Sequence, residues 1–131
     1  LMKKLVDLSK GEWLIMNRVW AYGKATAREV TEDLAMDTGW TYNTVKTMLV
    51  RLARKGWITE NKVGGLCFYR PAVARLTAIY LALDDMIDRV LDGTFEPLLA
   101  YLGSSKRLSD KDLEALEKLV AQCGRQDAAN E

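Results

Sequence analysis

Two adjacent glycines constrain this chain more than any other feature. Gly64-Gly65 separates residues 57–63 from residues 66–70, two short runs rich in β-branched, aromatic and aliphatic side chains. A two-residue Gly-Gly connection signals a tight hairpin, because the turns that match the twist of paired strands need positive φ at their centre. Pro71 stops the second run, since it has no N–H to extend a ladder.

Three helical segments precede the hairpin. Ser9-Lys10-Gly11-Glu12 and Thr26-Ala27-Arg28-Glu29 both match the capping box. In that motif the hydroxyl accepts from a free backbone N–H and the glutamate reaches back to the cap amide. The first helix is expected to run to about Tyr22, with Trp13, Met16 and Trp20 on one stripe and Ile15 and Val19 beside it. Gly23 is placed to end it. The second helix buries Ala27, Val30 and Leu34 and fades near Asp37. After a turn over 38–40, Thr41 caps a third helix that ends near Lys55-Gly56. Helix, helix, helix, hairpin is the order of a winged helix-turn-helix.

From Ala72 the pattern changes. Val73, Leu76, Tyr80, Leu83, Ile87 and Val90 follow heptad spacing, widened by Ile79 and Met86. Gly93 breaks this helix. Phe95, Leu98, Leu99 and Leu102 predict a short second helix with Pro97 in its first turn. Ser109-Asp110-Lys111-Asp112 opens a last helix with acids where the dipole favours them. Its stripe is Leu113, Leu116, Val120 and Cys123, and the polar tail from Gly124 reads as frayed. Three short helices form a poor core in one subunit, and an exposed apolar seam is unstable in water. The chain is therefore expected to be mainly α: a winged-helix domain over 1–71, then a helical dimerisation domain over 72–131. Its dimer contacts would come from the heptad seam with Leu116 and Val120. A compact monomeric C-terminal subdomain is the alternative.

The third helix carries the chemistry. Val45, Met48, Leu49 and Leu52 centre on one side; Asn43, Thr47, Val50 and Arg54 lie opposite, flanked by Lys46 and Arg51. No Asp or Glu occurs between Thr41 and Ile58. On a recognition helix, Asn43 suits adenine, Lys46 guanine, and Thr47 offers a hydroxyl and a methyl to thymine. Arg51 and Arg54 suit phosphates, which position without reading sequence. Thr41 and Thr44 sit where free N–H groups favour phosphate. Lys62 and Arg70 flank the wing turn, with Lys62 the better phosphate contact, and Arg28 begins the second helix. Each of these cations is also what a solvated surface would show.

The charge distribution supports a polyanionic partner. The net charge is only +1, but residues 1–75 carry 13 Lys or Arg against 7 Asp or Glu, and residues 76–131 carry 6 against 11. With no histidine and no CxxC pair, most zinc patterns and every histidine-dependent triad are excluded. Cys67 and Cys123 read as small apolar side chains. Asp84, Asp85, Asp88 and Asp92 read as a solvated helix face rather than a cation site. No cofactor and no enzymatic activity are expected. No apolar run reaches membrane-spanning length and no signal-peptide pattern occurs, so a soluble cytoplasmic protein is expected.

Leu8-Ser9, Glu12-Trp13, Met16, Trp20, Thr44-Val45-Lys46-Thr47, Arg51-Leu52, Lys55-Gly56 and Phe68-Tyr69 together resemble the BlaI/MecI repressors and the related CopY repressors. The resemblance spans nearly the whole chain. It implies a homodimeric transcriptional repressor on a palindromic double-stranded operator, with Asn43, Thr44, Lys46, Thr47 and Arg51 in the DNA-facing surface. Relatives often carry a base at the position of Asn43, which implies a different operator here. It also implies induction by a sensor-protease pathway that cleaves an Asn-Phe bond; the corresponding bond in this chain is Tyr101-Leu102. CopY-type repressors use C-terminal Cys-x-Cys motifs, whereas this chain has Cys123 alone, so the inducer stays open. The rival function is a protein-interaction adaptor in which Trp40 and Tyr42 contribute an apolar patch.

Overall fold

The computed structural model describes residue 5, residues 7–104 and residues 107–130. It divides into two compact units, Leu1–Asp84 and Asp85–Glu131.

The first unit contains α1 (Lys10–Tyr22), α2 (Ala27–Thr38), α3 (Tyr42–Arg54), β1 (Ile58–Val63), β2 (Leu66–Pro71) and the first turns of α4 (Arg75–Arg89). Both capping boxes form. The Glu12 amide donates to Ser9 Oγ at 3.2 Å and the Ser9 amide to Glu12 Oε1 at 2.9 Å. Thr26 and Glu29 repeat the exchange at 3.2 and 3.0 Å. Thr41 caps α3 by accepting from the Thr44 amide at 3.3 Å. Each cap satisfies an N–H that the first helical turn leaves without a partner.

β1 and β2 pair antiparallel from Ile58↔Pro71 to Val63↔Leu66. Gly64 and Gly65 close the hairpin at φ of 58° and 82°, a conformation that costs a side-chain-bearing residue about 1 to 2 kcal/mol. Gly65→Val is therefore expected to lower the urea midpoint by an amount corresponding to about 1 to 2 kcal/mol. An unchanged midpoint would show that the turn does not contribute to folding stability.

One pairing leaves no mark in the sequence. Ala25, in the loop before α2, forms a one-residue bridge with Tyr69: its amide donates to the Tyr69 carbonyl at 3.0 Å, and the Tyr69 amide donates back at 2.8 Å. The wing is thereby stitched to the helix-turn-helix.

The core joins Ile15, Met16 and Val19 of α1, Val30 and Leu34 of α2, Val45, Leu49 and Leu52 of α3, then Trp57, Ile58 and Tyr69. These are the periodic apolar positions, and their burial supplies the main favourable term in folding. Gly11 permits the close seating of α1 on α3: a Cβ there would stand 3.1 Å from Met48 Cε and 3.2 Å from the Trp40 ring.

The start of α4 belongs to this core. Ala78 is buried, Val73 packs against the cluster, and the Val73 carbonyl accepts from Trp20 Nε1 at 2.9 Å. Val73 precedes the first helical residue, Arg75. It thus lies outside the helix expected to carry the seam, and the indole bond and core packing tie it to the first unit. For the same reason the first unit continues past residue 71, where the sequence pattern changes, into α4. Opposite Ala78, the seam residues Leu76, Tyr80 and Leu83 are exposed.

The second unit holds the end of α4, α5 (Glu96–Ser104) and α6 (Asp110–Asn130). Arg89 donates to Asp85 at 2.7 Å, one turn away. Ser109 and Asp112 form a further reciprocal cap on α6, both bonds at 3.1 Å. The α6 backbone stays helical through Gly124 to Asn130, beyond the frayed end expected from composition. Alanines at 121, 128 and 129 favour helix, and no proline interrupts it. Among the described residues of this unit none is fully buried. Val90, Phe95, Leu99, Leu113, Leu116, Leu119 and Val120 are exposed, and Ile87 is half-buried. Among the described residues no helix is long and apolar enough to cross a membrane.

Candidate nucleic-acid interface

The buried stripe Val45, Leu49 and Leu52 fixes the roll of α3. A helix anchored along one stripe must present the opposite one. Thr41, Asn43, Thr44, Thr47, Arg51 and Arg54 are accordingly exposed, while Lys46 is half-buried. No carboxylate occurs on α3. Thr47 is exposed, and its Oγ1 donates to the Asn43 carbonyl at 2.9 Å, which leaves the hydroxyl lone pairs able to accept. The Thr41 and Thr44 hydroxyls lie 3.1 Å apart at the helix start, where uncapped N–H groups favour an anion.

The cations fall into two sets. Among the described residues Arg28, Arg51, Arg54 and Lys62 are exposed and enter no ion pair. They can therefore neutralise an external polyanion without breaking an internal bond. Arg70 is exposed on β2, and Lys24 stands 5.0 Å over the Phe68 ring. Lys46 and Lys55 are instead held from within. Lys46 Nζ donates to the Tyr69 hydroxyl at 2.6 Å and lies 5.1 Å from the ring centroid. The bond that Lys46 donates to Tyr69 raises the Lys46 pKa above its ordinary value against the opposing effect of desolvation, so the ammonium stays charged. Burial pushes the Tyr69 phenol up, and the Cys67 thiol beside it adds to that; Lys46 pulls the other way.

Lys55, the C-cap of α3, donates to Glu12 Oε2 at 2.7 Å. Glu12 is only 6% exposed. Burial alone would raise its pKa, but the Lys55 bond, the Ser9 amide and hydroxyl, and the Lys55 charge together hold it below 4.5. One carboxylate thus caps α1 and pins the far end of α3. Neither Tyr69 nor the Glu12–Lys55 pair was marked out by the sequence as part of this site.

Tyr101 and Leu102 lie inside α5, Tyr101 exposed and Leu102 half-buried. Among the described residues no three His, Cys, Asp or Glu side chains converge as a metal site.

A family model described as penicillinase repressor matches residues 8–122. The chain belongs to the penicillinase repressor family. Within that family it is similar to the methicillin resistance regulatory protein MecI of Staphylococcus aureus, 27% identical over 117 residues that cover 89% of this chain and 95% of that protein. It is 25% identical over 119 residues to the penicillinase repressor of Bacillus licheniformis, covering 91% and 93%. The solution structure of the DNA-binding domain of the repressor BlaI aligns with a TM-score of 0.50 and 31% identity, over 56% of this chain and 90% of that one. The monomeric form of Bacillus licheniformis BlaI in complex with the blaP half-operator aligns equally well. These matches establish the winged-helix architecture.

Proposed function

We propose that this chain is a DNA-binding transcriptional repressor that reads duplex DNA with α3 and acts by occupying an operator. The observation that carries the reading is the acid-free exposed face of α3, with Arg51 and Arg54 in no ion pair among the described residues, followed by the hairpin of β1 and β2. Asn43 and Thr47 face the base edges, Thr41, Thr44, Arg51 and Arg54 the phosphates, and Lys62 and Arg28 the flanking backbones. The solved BlaI complex with its half-operator supports the same use of the fold.

The functional form is a homodimer on a palindromic operator. The support is the apolar side chains left open on each unit: Leu76 at 57% and Tyr80 at 58% exposure in the first, and Val120 at 64% in the second. Such a surface is stable in water only when a second surface covers it. Leu83→Asp is expected to give a folded monomer with weaker operator binding; sedimentation showing an unchanged dimer would remove α4 from the interface. Release by proteolysis at Tyr101-Leu102 would require α5 to open first, because the bond lies within a helix.

The direct test is a titration of duplex from upstream of the chain's own gene, at several salt concentrations, against scrambled duplex. Binding to the upstream duplex should be tighter and should weaken steeply with salt as counterions are released. Equal affinity for both duplexes would refute sequence-specific repression.

A further inference from the structure

We propose that Tyr69 is a positioning residue for Lys46, so that a strand of the wing sets where the central cation of α3 stands when DNA is read. The proposal rests on the DNA-reading function above. Tyr69 is fully buried, so its ring cannot reach a nucleic acid itself. Its hydroxyl nevertheless accepts from Lys46 Nζ at 2.6 Å, across 23 residues of sequence.

Three features make this contact an aiming device. The first is rigidity at the phenol end. The Tyr69 backbone pairs with Glu60 on one side and with Ala25 on the other, and its ring is locked in the core. The phenol is thereby fixed to β1, to the loop before α2 and to α1 at once. A free lysine stem has many rotamers, and tethering its head to a fixed acceptor removes most of them before DNA arrives.

The second feature is charge. A carboxylate at this place would hold the ammonium but cancel it, as Glu12 does for Lys55. A neutral phenol holds the ammonium and leaves its positive charge to face the polyanion. The third is stoichiometry. An ammonium has three donors; Tyr69 takes one, and Lys46 is only half-buried, so two remain for a guanine edge or a phosphate.

The experiment compares wild type, Tyr69→Phe, Lys46→Ala and the double variant. Each is used to select binders from a library of duplexes with a randomised core, and affinities are then measured on the wild-type winner and on a scrambled duplex. Tyr69→Phe keeps the ring and deletes only the acceptor. It is expected to weaken binding to the selected duplex about tenfold, the scale of one well-made base contact. It should flatten base preference at the same position as Lys46→Ala and leave affinity for scrambled duplex unchanged. The double variant should bind no more weakly than Lys46→Ala alone.

Tyr69→Phe retaining the wild-type preference, or losses that add in the double variant, would overturn the proposal. Should Tyr69→Phe not fold, Lys46→Met keeps an unbranched stem and deletes the donors; flattening of one base position supports the proposal and an unaltered preference overturns it. Failure of the wild type to select any sequence overturns the DNA-reading function and, with it, this inference. Wild-type selection with an unaltered Tyr69→Phe preference overturns this inference alone.

Discussion

Replacing Glu12 with alanine is expected to lower the unfolding free energy by about 1 to 3 kcal/mol, the range for leaving buried hydrogen-bonding partners unsatisfied. The magnitude follows from burial. An exposed ion pair contributes at most about 1 kcal/mol, but the Glu12 side chain is 8% exposed and Lys55 stands 2.7 Å away; the 30% exposure of the Lys55 side chain lets water replace part of what Glu12 supplies. Alanine would leave the Lys55 ammonium without its partner and the Ser9 amide without its acceptor. Urea unfolding of both proteins with comparable slopes measures the difference. A loss within the surface-substitution range, about 0.5 kcal/mol, would contradict the structural role given to Glu12.

The same pair carries a pH dependence. Glu12 is held below the ordinary carboxylate value of 4.5 in the folded chain, so the folded state binds fewer protons than the unfolded one as pH passes below that value. Its contribution is complete above the ordinary carboxylate range and is lost as pH falls through the folded pKa. The gap between wild type and Glu12→Gln should therefore narrow on acidification.

The second large effect concerns DNA. Arg51→Ala combined with Arg54→Ala should leave stability almost unchanged, because both side chains are exposed and enter no ion pair among the described residues. Operator affinity should collapse at moderate salt, and the slope of log K against log salt should become shallower by about 1.8, two phosphates at roughly 0.9 each. The base preference of whatever binding remains should survive, since phosphate contacts position without specifying. A double variant with the wild-type salt slope would take these arginines off the DNA.

Much of this fold is legible in the chain because its signals are local. Ser9 and Glu12, Thr26 and Glu29, and Gly64 with Gly65 each act within four residues, and a reader of sequence needs only that window. The exposed face of α3 is legible because the helical repeat that buries Val45, Leu49 and Leu52 leaves the other side no choice. Contacts that join distant segments were not legible. Lys46 and Tyr69 are 23 residues apart and Glu12 and Lys55 are 43 apart, and no periodicity relates them. The second glutamate of a capping box, Glu29, is exposed, whereas Glu12 is buried; the identical motif gives no hint of which one also holds a lysine. Val73 shows that periodicity does not reveal every contact a residue makes. It extends a heptad on paper, but the Trp20 indole takes its carbonyl and the core takes its side chain.

Chemical protection of guanine N7 in the operator complex reports whether α3 enters the major groove, because N7 lies there and an inserted helix shields it. Two protected clusters are expected on one face of the duplex, centred one helical turn or a whole multiple of about 10 base pairs apart. Both clusters should disappear with Arg51→Ala/Arg54→Ala at moderate salt. Tight, sequence-specific binding with every major-groove guanine still reactive would contradict a reading by α3.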